Sequence, residues 1–163
     1  MKLKFEVVIM IRNAVLEDID EIYNLNTELF IVLSELKKDI YNPIGFPKEF
    51  ITSIINSNES DYIVIEEDDK IIGYSLIEER KSPFKKYQNF KEDHFASIDE
   101  LVILPQYRTK GYGKILIEES EKWAKKRNLT SLEISVLNNN YNARAFYEKS
   151  GFEEFQLKLR KGI

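Results

Sequence analysis

"LPQYRTKGYGKILIEE", residues 104–119, places a proline, two basic residues and two glycines ahead of an apolar and acidic run with helical spacing. Before it, "ASIDELVIL" at 96–104 has the apolar, β-branched content of a strand. Strand, glycine loop and helix in that order can turn a row of backbone N–H groups toward one point. The first N–H groups of a helix have no internal acceptor and sit at the positive end of its dipole, so they suit a phosphate or pyrophosphate. Glycines at 111 and 113 let the chain approach such an anion, and Arg108 and Lys110 add charge at the rim. Two common nucleotide loops are excluded. Ile115 follows Lys114 where a Walker loop has Ser or Thr, and Leu116 stands where a dinucleotide fingerprint has its third glycine. On these residues alone an ordinary turn remains an equal reading.

Working outward, residues 5–13 read as a strand. Asp18 and Glu21 form a predicted capping box opening a helical pattern to about residue 40. "NPIGFP" at 42–47 ends it, and a second helix starts near Pro47 with Phe50, Ile51, Ile54 and Ile55 as its apolar face. "DYIVIEEDDKIIGYSLIEE" from Asp61 is a hairpin turning at Asp68-Asp69, with Gly73 marking a bulge or a close backbone approach. Residues 81–95 lack periodicity and read as a loop, with aromatic and basic content that makes it a candidate substrate lid. In the strand 96–104, simple alternation puts Ser97, Asp99, Leu101 and Ile103 on one face and Ile98, Glu100, Val102 and Leu104 on the other. A helix from about Tyr112 to Arg127, a strand "LTSLEISVL", a short helix from Asn142 to Ser150 and a last strand "FEEFQLKLRK" complete the chain. The expected architecture is α/β: one mixed sheet with helices on both faces, in a single domain spanning 1–163.

Composition narrows the chemistry. The 163 residues contain no cysteine and one histidine, which removes disulfides, a thiolate nucleophile, and Cys- or His-rich metal sites. No run approaches the roughly 18 apolar residues of a membrane span, so the expected setting is cytoplasmic, without a membrane partner. The net charge of −4 hides an asymmetry. Residues 17–69 hold 14 acidic against 3 basic side chains, while residues 105–163 hold 12 basic against 7 acidic. An acidic wall suits a cationic partner and a basic wall an anionic one. No basic tract is dense enough for duplex nucleic acid.

A second constellation lies in "NNNYNARAFYEKSGF", residues 138–152. Its spacing puts Tyr147 on a capped short helix beside the strand ends, where a hydroxyl can protonate a leaving group, or where Phe146 and Tyr147 serve as core aromatics. The two constellations together resemble the GCN5-related N-acetyltransferases, the GNAT superfamily. Arg108, Gly111 and Gly113 match that family's cofactor loop. Asn140, Ala143, Phe146, Tyr147, Gly151 and Phe152 match its later Asn-x-x-Ala-x-x-Phe-Tyr segment.

The resemblance implies an acetyl-CoA-binding fold with a mostly antiparallel sheet and one splayed parallel strand pair, here Leu101–Leu104 and Ile134–Val136. Leu101, Val102 and Ile103 would face the pantetheine arm, and Arg108, Thr109, Lys110, Gly111, Tyr112, Gly113 and Lys114 would wrap the pyrophosphate. Asn140, Ala143, Phe146 and Tyr147 would border the thiol end, Tyr147 protonating the departing thiolate. The implied chemistry is direct attack of an amine on the thioester in a ternary complex, with no metal. A backbone N–H near Val102 or Ile103 would meet the oxyanion. Asp99 and Glu100 are both candidate bases, directly or through water, and each is also readable as a solvated or paired strand residue. His94 reads as a surface residue. Tyr74 and Tyr41 read as acceptor-pocket walls or core. The acidic half favours a cationic small-molecule or peptide amine. Homodimers are common in the family, and a non-catalytic acyl-CoA-binding regulatory domain is the alternative.

Overall fold

In a computed structural model, residues 8–81, 89 and 93–163 are described. They form the expected mixed sheet, in the order β1 (Ile9–Asn13), β2 (Ser60–Glu67), β3 (Lys70–Lys81), β4 (His94–Ile103) and β5 (Leu132–Ile134). All neighbours are antiparallel except β4 and β5, which run parallel. α1 (Ile19–Leu36) and α2 (Lys48–Ile55) cover one face, and α3 (Tyr112–Lys126) covers the other, with α4 (Tyr141–Lys149) following β5. Ile22, Leu25, Ile51, Tyr62, Val64, Tyr74, Leu76 and Val102 fill the α1/α2 layer, while Ile63, Ile65, Ile77, Ile98, Leu116, Ile117 and Trp123 fill the α3 layer.

The β2–β3 hairpin turns where expected. Asp68 and Asp69 have φ of 49° and 62°, the paired left-handed conformation that matches strand twist. Gly73 answers to both of its sequence readings. It follows a bulge at Ile72 in the β2 register, and a Cβ placed on it would lie 2.5 Å from the Val102 carbonyl oxygen.

Four expectations are corrected. Asp18 does not cap α1 through its side chain; its carboxylate accepts from the Arg12 guanidinium at 2.6 Å and from the Val15 N–H at 2.8 Å, while Glu21 accepts from the Ile71 N–H. Residues 152–161 form no strand, although Phe155, Leu157 and Leu159 alternate, because that segment has no ladder partner among the described residues and these side chains are exposed. β4 starts at His94, so His94 and Phe95 belong to the sheet rather than to a loop. The lid assigned to 81–95 otherwise falls mainly outside the described residues. So do the first residues of the strand assigned to 5–13.

The fourth correction concerns β4. Leu76 pairs with Glu100 and Ile77 with Ile98, which leaves Asp99 as an extra residue. This bulge shifts the alternation by one, so Ile98 joins Leu101 and Ile103 in the α3 layer while Glu100 and Val102 face α1 and α2.

Gly73→Ala tests the sheet packing. Its new methyl meets a fixed carbonyl, so the unfolding free energy should fall by about 1–3 kcal/mol, read as a lower urea midpoint with an unchanged slope.

Candidate active site

β5 bonds to β4 only between Leu132–Ile134 and Ala96–Ile98, after which β4 continues to Ile103 with β3 alone beside it. The parallel pair therefore splays, and among the described residues no strand pairs with one edge of β4 beyond Ile98. The Leu104 N–H donates to the Ile72 carbonyl at 2.9 Å, toward β3. Since successive N–H groups of an extended strand alternate in direction, Val102 also points to β3, whereas Leu101 and Ile103 point to the open edge.

The glycine loop leaves this edge through a 3₁₀ turn, Pro105–Tyr107. Arg108 Nε donates back to the Ile103 carbonyl at 2.9 Å, and Thr109 and Gly111 adopt φ of 64° and 91°. The first bond of α3 runs from the Ile115 N–H to the Gly111 carbonyl, so Tyr112, Gly113 and Lys114 carry the first-turn N–H groups. The two glycines do different work. Nothing lies within 4 Å of a Cβ built on Gly111, which is needed for its dihedral and leaves the helix mouth open. A Cβ on Gly113 would come 3.0 Å from Phe146 Cζ, so that glycine permits contact with α4. Lys110 Nζ lies 4.9 Å from the Tyr107 ring centroid, and the Tyr112 hydroxyl donates to Glu67. Lys114 is exposed, 3.8 Å from Glu118. An open strand edge, a helix mouth and exposed Arg108 and Lys114 together fit an elongated ligand with a phosphorylated end.

α4 supplies the opposite wall. Asn140 is its N-cap, the side-chain oxygen accepting from the Ala143 N–H at 3.3 Å. Phe146 and Tyr147 are half-buried, and the Tyr147 ring lies 5.4 Å from Phe146 and 5.9 Å from Phe152. Burial pushes the Tyr147 hydroxyl up to about 12, which keeps it protonated.

Glu100 and Asp99 have separate fates. Glu100 is 7% exposed and accepts from the Tyr74 hydroxyl at 2.6 Å and from Asn26 Nδ2 at 2.9 and 3.0 Å. Burial raises its pKa to about 7, against the downward pull of those two donors. Asn26 Nδ2 also donates to the Tyr74 oxygen, and Asn26 Oδ1 accepts from the Phe46 N–H at 2.6 Å. Asp99 sits in the bulge, 2.5 Å from Arg80 and accepting from Ser97 Oγ at 2.7 Å. His94 Nε2 lies 2.5 Å from Glu79. Tyr74 is fully buried, whereas Tyr41 packs edge-on to Phe30 beside the α1–α2 connection. Asn26 is the residue that sequence reasoning missed. Its signal is a polar side chain in the apolar stripe of α1, between Ile22, Leu25 and Leu29.

Among the described residues no group of three or more His, Asp or Glu is placed to hold a metal, and no helix is long and apolar enough to cross a membrane. An N-alpha-acetyltransferase of Sulfurisphaera tokodaii is 30% identical over 151 residues, covering 90% of this chain and 81% of that protein. An uncharacterized N-acetyltransferase of Methanocaldococcus jannaschii is 26% identical over 144 residues; the match covers 88% of this chain but spans only 60% of that protein's length. The solved structure of a tetramutant of the BH1408 protein from Bacillus halodurans superposes with a TM-score of 0.88 at 20% identity, covering 94% of this chain and 99% of that one. The model of the acetyltransferase (GNAT) family matches residues 19–152, and with the splayed strands and glycine loop in place the chain belongs to that family.

Proposed function

We propose that this single-domain chain transfers the acetyl group of acetyl-CoA directly to a cationic primary amine in a ternary complex, with Glu100 as base and Tyr147 as acid. The observation that carries this reading is the buried carboxyl of Glu100, with a pKa near 7, on the stretch of β4 that has lost its β5 partner. Acetyl-CoA, when bound, supplies an activated acyl carbon and a thiolate leaving group. Arg108, Thr109, Lys110, Tyr112, Lys114 and the open turn at Gly111 would hold its phosphates, and the Leu101 and Ile103 edge would hold its arm. Asn140, Ala143 and Phe146 would line the thiol end.

An ammonium cannot attack a carbonyl until it loses a proton. Glu100 takes that proton, directly or through one water, and a base poised near the working pH does so efficiently. The Ile103 N–H, on the open edge, is the donor for negative charge developing on the acyl oxygen, whereas the Val102 N–H is turned toward β3. As the C–S bond breaks, Tyr147 gives its proton to the departing sulfur, and the second proton, shed by the nitrogen as the amide forms, passes through water to restore the tyrosine. Asp99, held by Arg80 and Ser97, is less suited to the base role. The acidic surplus of residues 17–69 favours a cationic acceptor.

Two measurements test this. kcat/KM for an amine should fall about tenfold per unit below an apparent pKa of about 7, and Glu100→Gln should abolish that limb while lowering the rate by about 10²–10⁴-fold. An unaltered profile in the variant excludes Glu100 as base. The same group sets a stability trend. Its folded pKa lies above the ordinary 4.5, so stability from the protonated form is complete below about 4.5 and is lost as pH rises through about 7. Glu100→Gln should lack that loss. Separately, Tyr147→Phe should cut free-thiol release while leaving CoA affinity by calorimetry largely intact. CoA binding without thiol release from the wild type, with any amine, would instead indicate a regulatory acyl-CoA-binding domain.

A further inference from the structure

The α1/α2 face of the sheet carries three cross-strand rows. The register aligns Val64, Tyr74 and Val102, then Tyr62, Leu76 and Glu100, then Ser60, Glu78 and Ser97. The first row is buried, and the second is buried too, with Glu100 as its one charge. The third is polar. Ser60 and Ser97 are buried, while the Glu78 side chain is 26% exposed. This row opens on a surface cavity of about 260 Å³ lined by Ser53, Ser57, Glu59, Ser60, Glu78 and Glu79.

A second observation points inward from the same place. The Tyr62 hydroxyl is buried and has no hydrogen-bond partner among the described residues. A buried hydroxyl in that state bears its full desolvation cost, which a ligand donor or acceptor would relieve. It lies within electrostatic reach of both Glu100 and Glu78, whose negative charges add to burial in holding its proton. Tyr62 is thus within electrostatic reach of Glu78, which lines the cavity, and of the Glu100 carboxyl in the layer beneath. Basic groups also face this region. Arg80 Nη2 is 2.5 Å from Asp99 and 3.3 Å from Glu78, so it is committed more closely to the bulge. Glu79, at the rim, is engaged by His94 at 2.5 Å and lies 3.9 Å from Arg127. Glu59 is exposed at the mouth.

We propose that Glu78, supported by Glu59 and the Tyr62 hydroxyl, is a subsite for a second ammonium group of the acceptor, making the preferred substrate a short α,ω-diamine. The proposal rests on the acetyltransferase reading above. Glu78 lies one row from Glu100 across β3 and β4, with the Asp99 bulge between the two register positions, and diagonal neighbours in a regular ladder stand about 7–8 Å apart. That is the span of a short dication lying along the sheet, one nitrogen at Glu100 to be deprotonated and acetylated, the other kept charged at Glu78. The Tyr62 hydroxyl, unpartnered among the described residues and within electrostatic reach of both carboxylates, would accept an N–H of the incoming amine.

The test is free-thiol release from saturating acetyl-CoA with putrescine and, separately, butylamine, in the wild type, Glu78→Gln and Glu59→Gln. The wild type should show a KM for putrescine about tenfold or more below that for butylamine. Glu78→Gln should raise the putrescine KM about tenfold, with kcat within about twofold and the butylamine KM unchanged. Glu59→Gln, an exposed change that does not threaten folding, should move the putrescine KM in the same direction by less. Equal shifts for both amines, or none for putrescine in either variant, overturn the subsite while leaving acetyl transfer standing. No thiol release with either amine overturns the diamine subsite, and the acetyl-transfer reading falls only if no cationic amine of any class releases thiol.

Discussion

A carboxyl group nearly closed off from water must be hydrogen-bonded, and the layer between the sheet and α1 is arranged around that requirement at Glu100. Tyr74 comes from β3 and Asn26 from α1, so one group ties a helix and two strands to a single point. Asn26 uses its other end to fix the Phe46 N–H, which draws the proline-flanked connection between α1 and α2 onto the same point. Gly45 permits the approach, since a Cβ there would lie 2.8 Å from Asn26 Oδ1 and from Thr27 Oγ1. The ionised form remains accessible because two donors oppose the effect of burial.

β4 addresses two layers at once because its backbone groups and side chains point in perpendicular directions. Its N–H groups at Leu101 and Ile103 address the cleft opened by the splay, while Glu100 and Val102 reach into the α1/α2 layer. Charge follows the same division. The acidic first part of the chain builds the α1/α2 face, and the basic later part builds the glycine loop, α3 and α4. Opposite charge surpluses thereby flank one strand.

Much of this was legible in the sequence, because the informative features are local. A glycine loop between a strand and a helix, a pair of aspartates at a hairpin and an asparagine cap each announce their own backbone geometry. What escaped depends on partners distant in the chain. The Asp99 bulge is a property of two strands, so alternation within β4 alone placed Ile98 on the wrong face. Asp18 looks like a cap until Arg12, one strand earlier, takes its carboxylate. Phe155, Leu157 and Leu159 have a strand's alternation but no neighbour to pair with. Asn26 carried a signal, a lone amide in an apolar stripe, whose meaning required Glu100 to be placed 74 positions away.

The contact between Gly113 and Phe146 has a mechanical meaning. The first turn of α3 and the middle of α4 meet here through the Phe146 ring, with no Gly113 side chain to hold that ring away. Phe146 acts as a strut whose length sets the width of the gap. Because Tyr147 is the next residue, the same strut fixes the distance from the helix mouth to the phenol. The open mouth of α3 and the Tyr147 phenol are thus spaced from each other by one aromatic ring.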